Sequence, residues 1–95
     1  MDLNYEIFYE DDALNGLDKI CGHILDEYGS VKASNKIYRE IVKSLEHLRK
    51  HPRMYPEYGN KRKCVVGNFI ALHRVEDDTQ QVIVEKIFYA GTNWK

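Results

Sequence analysis

Residues 61–76 read Lys61-Arg62-Lys63-Cys64-Val65-Val66-Gly67-Asn68-Phe69-Ile70-Ala71-Leu72-His73-Arg74-Val75-Glu76, and this stretch decides the fold. Two runs rich in branched and aromatic residues flank a Gly-Asn pair, so 61–66 and 69–75 are expected as strands joined by a two-residue hairpin turn. Downstream, Glu76-Asp77-Asp78-Thr79 makes the next turn and residues 82–89 a last strand. Upstream, residues 52–60 hold both prolines and read as a loop. Before that loop the period changes from two to about 3.6. Ala33, Ile37, Ile41, Leu45 and Leu48 form one apolar stripe, with Pro52 as its stop. Ala13, Leu14, Leu17, Ile20, Cys21, Ile24, Leu25 and Tyr28 form another. Gly29 suits the first helix's C-terminal stop, Ser30 or Ser34 the second's cap, and Asp11 or Asp12 the cap of the first. Residues 4–9, Asn-Tyr-Glu-Ile-Phe-Tyr, suit a strand. The expected fold class is α+β: an N-terminal strand, a helical hairpin, then three antiparallel strands, in two layers. Helices would cover one sheet face and leave the other partly open.

At 95 residues the chain is one small domain, 1–95, too short for a dinucleotide-binding half plus a substrate domain or for an eight-fold β/α barrel. Hydrophobic residues at 43% and charged residues at 31% are ordinary for a folded domain and exclude a disordered chain. No apolar run approaches a membrane span, and Met1-Asp2-Leu3-Asn4 does not open a secretory signal. Cys21 and Cys64 form no paired-cysteine pattern and read as free, buried thiols of a reducing compartment, so a cytoplasmic location is expected. The net charge of −1 hides a strong asymmetry. Residues 1–30 carry eight acids against Lys19, and residues 31–63 carry ten bases against three acids. Such a split marks a surface for a polyanion, or else a basic helix balanced in space by an acidic one.

The common catalytic signatures are missing: no phosphate-cradling glycine loop, no nucleophile elbow, no zinc pattern. His47 and His51 stand four apart on the second helix, yet Arg49 and Lys50 beside them repel a cation, so no metal and no cofactor is expected. His23 reads as a boundary residue, and His73, in mid-strand among apolar neighbours, as a packed sheet histidine. Lys61-Arg62-Lys63 is the informative string. A two-residue period sends Lys61 and Lys63 to one sheet face and Arg62 to the other. Two ammonium groups side by side can bind a phosphate, and one of them can move a proton. The competing reading is a charged strand entry that prevents edge pairing.

In this order of elements, the strings Ala13-Leu14 through Leu25, Ser44-Leu45, His51-Pro52-Arg53-Met54, Arg62 through Phe69, Leu72-His73-Arg74-Val75 and Ile87-Phe88-Tyr89 resemble the RelE/ParE superfamily of bacterial toxins from type II toxin–antitoxin systems. The resemblance covers nearly the whole chain. It implies a toxin neutralised by a cognate antitoxin, with one of two activities. RelE-like members cut messenger RNA on the ribosome without a metal, the ribose 2′-hydroxyl attacking the adjacent phosphate. ParE-like members act on DNA gyrase and are not enzymes. On the RelE-like pattern, Lys61 contacts phosphate, Lys63 contacts phosphate or moves a proton, Arg62 clamps phosphate, and Tyr89 stacks on a base. Lys61 and Lys63 favour the RNA-cutting branch, the first expectation; Phe69-Ile70-Ala71 and Ala90-Gly91-Thr92-Asn93 stand where those nucleases usually carry arginine, which favours the gyrase branch or a weakened toxin. A third possibility is a plain interaction module that binds a partner without catalysis.

Overall fold

The computed structural model describes residues 4–90. Its elements follow the expected order: β1 (Glu6–Tyr9), α1 (Asp11–Tyr28), α2 (Val31–Glu46), β2 (Glu57–Tyr58), β3 (Lys61–Val66), β4 (Phe69–Glu76) and β5 (Gln81–Tyr89). They form a two-layer α+β domain, two helices packed on one mixed sheet of order β1-β5-β4-β3-β2. β1 runs parallel to β5, with Phe8 opposite Ile83; all other pairs are antiparallel.

Three local readings needed correction. The 52–60 segment contains a fifth strand: β2 folds back on β3 with Tyr58 opposite Lys61. Its turn is Gly59-Asn60, the same dipeptide that turns β3 into β4 at Gly67-Asn68, and both glycines take the positive φ that side chains resist, 65° and 58°. The second helix stops at Glu46, and a 3-10 turn, His47–Arg49, follows it, so His47 and His51 do not share a helix face. Leu48 in that turn is still completely buried, which explains why the apolar period ran on past the helix. The first helix is capped by Glu10, whose side chain makes no capping bond, while Asp11 and Asp12 sit in the first turn where the helix dipole favours acids.

The hairpin itself forms as its sequence predicts. Gly29 takes φ 60° and donates its N–H to Leu25, ending α1. Ser30 Oγ then accepts from Ala33 N at 3.1 Å and starts α2. Ala13, Leu17, Ile20 and Ile24 from α1, and Ile41 and Leu45 from α2, meet Cys64, Ala71, Val82, Val84 and Ile87 from the sheet in one core. Gly16 lets α1 press against β5: a Cβ there would stand 2.0 Å from the Ile87 carbonyl oxygen, so only glycine fits. Ile70 and Ile83 are buried too but belong to no part of this core, because they point to the face the helices leave bare.

Candidate functional site

The helix-free face is organised by charge. Lys61, Lys63 and Val65 alternate onto it from β3, as their spacing predicts, while Arg62 and Cys64 turn toward the helices. β4 adds Ile70, Leu72 and Arg74. On β5 the register slips: Leu72 pairs with Lys86 but His73 pairs with Val84, which leaves Glu85 as the extra residue of a β-bulge. The bulge aims Glu85 at two cations. Its Oε1 lies 2.5 Å from Lys61 Nζ, and its Oε2 accepts from the Arg74 guanidinium. Arg74 also holds Glu76 at 2.8 Å and faces Glu10 at 3.9 Å. Burial pushes the Glu85 carboxyl up, but the bonds from Lys61 and Arg74 outweigh it and hold the group below the usual carboxylate range. Lys63 lies over the Tyr58 ring, 5.3 Å from its centroid, a cation–π contact across β2 and β3.

The four candidates from sequence do not form one cluster. Lys61 and Lys63 share the open face. Arg62 is spent on the loop beside β2, donating to the Tyr55 carbonyl at 2.9 Å and the Arg53 carbonyl at 3.4 Å, with Glu57 at 3.7 Å. Tyr89 sits opposite Phe69 at the far end of β5, ring centroids 5.7 Å apart, on the helix side. The segment 91–93 lies outside the described residues. Arg74, Glu85 and Tyr58 were not singled out from sequence. A signal for the bulge exists: Glu85-Lys86 puts two charged residues in succession inside a strand, and strict alternation would bury one of them.

On the helix side, Tyr89 and Phe69 join Ile20, Ile24, Ile37 and Ile87 in a groove of about 860 Å³ between the helical hairpin and the end of the sheet. Lys19, His23, Lys36 and Glu40 line it as well, and Tyr28 beside it is 74% exposed. The acids of α1 do not neutralise the bases of α2: among the described residues no ion pair joins the two helices. The charge split therefore remains a surface property.

Beneath β3 and β4, His73 is fully buried, as its apolar neighbours predicted. Its Nδ1 lies 3.4 Å from the Ala71 carbonyl oxygen, Nε2 has no hydrogen-bond partner among the described residues, and the Tyr55 ring stands edge-on at 6.0 Å. Burial pushes its pKa down, and burial likewise raises the neighbouring Cys64 thiol and lifts Tyr55 to about 12. Groups so placed are poor proton carriers at neutral pH. Among the described residues no three His, Cys, Asp or Glu side chains gather as a metal site, and no helix is long and apolar enough to cross a membrane.

Comparison with known proteins follows the same lines. The family model for the ParE toxin of the type II toxin–antitoxin system parDE matches residues 7–94. A structure of the chromosomal ParDE system from P. aeruginosa superposes with a TM-score of 0.76 at 19% identity, covering 90% of this chain and 95% of that one. An archaeal RelE–RelB complex from Pyrococcus horikoshii OT3 gives 0.62 at 13% identity, covering 95% and 99%. The RelBE2 toxin–antitoxin complex from Mycobacterium tuberculosis gives 0.61 at 12% identity, covering 90% and 98%. A search of curated protein sequences gives no match.

Proposed function

This chain belongs to the ParE toxin family of type II toxin–antitoxin systems, and we propose that it disables its target by binding, the target being DNA gyrase. It is the toxin component of such a system, and its partner is a cognate antitoxin. The observation that carries the gyrase reading is the state of the open-face cations. Lys61 and Arg74 are both bound to Glu85, and Arg62 is turned away into a loop. Phosphoryl chemistry without a metal needs cations aimed at the developing charge and a group that moves a proton. The one histidine of the sheet is sealed in the core. A surface that binds a protein needs none of this. Exposed Phe8, Val65 and Tyr58, 52%, 54% and 43% exposed on the same face, supply apolar contact area for such a partner.

The second reading is ribosome-dependent, metal-independent mRNA cleavage. It rests on Lys61 and Lys63 sharing one face, with Arg62 as phosphate clamp and Tyr89 as a base-stacking ring. Pulse labelling of bacteria minutes after induction without antitoxin separates the two. On the gyrase reading thymidine incorporation falls before amino-acid incorporation, and the purified chain inhibits supercoiling by gyrase. If translation collapses first and K61A with K63A abolishes toxicity in a folded protein, the cleavage reading stands instead.

The antitoxin's seat on this reading is the apolar groove between the helical hairpin and the sheet. An amphipathic antitoxin segment would bury its apolar side there and present acids to Lys19 and Lys36 on the rim. Tyr28→Asp adds a charge at the exposed edge of that groove, far from the open face. It should leave toxicity intact and weaken neutralisation at least ten-fold in antitoxin titration. Unchanged neutralisation would place the antitoxin elsewhere.

A further inference from the structure

The bulge in β5 resets the alternation, so that Val82 and Val84 before it and Ile87 after it all face the helices. It also turns one extra side chain onto the open face. Glu85 uses both carboxylate oxygens on cations from two different strands, Lys61 of β3 and Arg74 of β4, and its side chain is only 13% exposed against 38% and 37% for theirs. A carboxylate bridging an ammonium and a guanidinium fills the same kind of place as a phosphate oxygen pair. We infer that Glu85 is a built-in counter-anion, seated in a two-cation oxyanion receptor made by Lys61 and Arg74, and that it withholds the sheet's open face from nucleic-acid phosphate.

The charge count on that face agrees. Lys61, Lys63, Arg74 and Lys86 stand there with Glu6, Glu10, Glu76 and Glu85, four bases against four acids, so removing one acid turns a balanced face into one with net positive charge. Glu85 matters more than the other two acids because of where it sits. Among the described residues Glu76 and Glu10 pair with Arg74 alone, from exposed positions 47% and 42% accessible, whereas Glu85, 13% accessible, holds both cations. An incoming phosphate must displace it. With that carboxylate gone, Lys61, Lys63 and Arg74 would line up beside the Tyr58 ring, a cationic track next to an aromatic platform, which is what single-stranded RNA uses. The inference deepens the reading of a toxin that acts on a protein, and it gives that reading a cause: the same fold refuses RNA through one side chain.

The test uses the purified chain, without gyrase or ribosome, so it can fail independently of the target assignment. Binding of a fluorescent single-stranded oligoribonucleotide is followed by anisotropy at about 50 mM salt. Each phosphate neutralised on a single strand releases about 0.7 of a counterion, which at that salt is worth about eight-fold in affinity. Glu85→Gln, confirmed folded by circular dichroism, is expected to bind at least eight-fold more tightly than the parent chain, with a steeper salt dependence. Adding Lys61→Ala should return the affinity to near the parent value. Glu76→Gln removes the same charge from the same face and should gain less than three-fold. Should Glu85→Gln not fold, Glu85→Asp keeps the charge but is one methylene too short to hold both cations, and an intermediate gain is expected. Equal gains in the Glu85 and Glu76 variants, a gain that Lys61→Ala does not reverse, no gain in any folded Glu85 variant, or a parent chain that already binds RNA as tightly overturns the inference.

Discussion

On the helix side of the sheet, Cys64, Ala71, Val82, Val84 and Ile87 are at most 2% exposed and meet two helices. On the other side the same three strands carry Lys61, Arg74 and Glu85 in ion pairs and leave Val65 about half exposed. One face is held by a continuous core, the other, apart from the buried Ile70 and Ile83, by charge, and the two respond to mutation in different ways. Burial is additive over area and indifferent to partner identity, so any well-shaped apolar residue serves it. Charge pairing depends on which acid meets which base, contributes little net stability at the surface, and so is available to be set by function.

Truncating one large side chain on each side separates the two faces most directly. Leu45 is fully buried between the helical hairpin and the sheet. Leu45→Ala should lower unfolding free energy by about 3 kcal/mol, from lost transfer energy plus the cavity it leaves. Phe8, 52% exposed on the open face, should lose less than about 1 kcal/mol on the same change. Urea unfolding of the two variants measures both. Equal losses would mean that the open face also carries a core at Phe8.

The same division explains what could be read in advance. The apolar stripes of both helices, the hairpin turn at Gly67-Asn68, and the assignment of Lys61 and Lys63 to one face with Arg62 on the other all follow from period and turn chemistry. Each depends only on residues close together in the chain. β2 was hidden by Pro52 and Pro56 before it, although the repeated Gly-Asn dipeptide at 59–60 marks it. The partners of the site residues were not legible, for a physical reason. Glu85 reaches Lys61 across two strand positions and a register slip, and nothing local in either strand specifies that meeting. Arg62 likewise looks like a phosphate ligand in sequence and serves as the tie that fastens the loop before β2. Alternation places a side chain on a face; only the folded sheet says what it meets there.

His73 is the exception on the helix side, a titratable group inside the face held by burial, and it offers the smallest and sharpest way to test that face. It is fully buried, with the Tyr55 ring edge-on at 6.0 Å, the Ala71 carbonyl 3.4 Å from Nδ1, no hydrogen-bond partner at Nε2 among the described residues, and Arg62 as its neighbour across β3. Desolvation is the larger cause that lowers its pKa, and the Arg62 charge adds to it; the Ala71 carbonyl works the other way. The folded chain therefore keeps His73 neutral at a pH where the unfolded chain, with an ordinary value near 6.5, already binds a proton. Stability is fully present above about pH 6.5 and is lost as pH falls through that value toward the folded pKa, with a slope of at most about 1.4 kcal/mol per pH unit for one proton. The ion-paired carboxylates do not confuse this window. Asp77, bonded first to Arg53 and then to Tyr5, and Glu85 both lie below the usual carboxylate range, so their losses come at lower pH. His73→Leu removes the proton and the orphaned nitrogen together, which costs little when the apolar replacement fits. Thermal melts from pH 8 to pH 5 should show the parent chain losing stability below about pH 6.5 and the leucine variant holding level. Parallel curves would mean that His73 takes up its proton inside the fold, and that the helix side of the sheet admits charge after all.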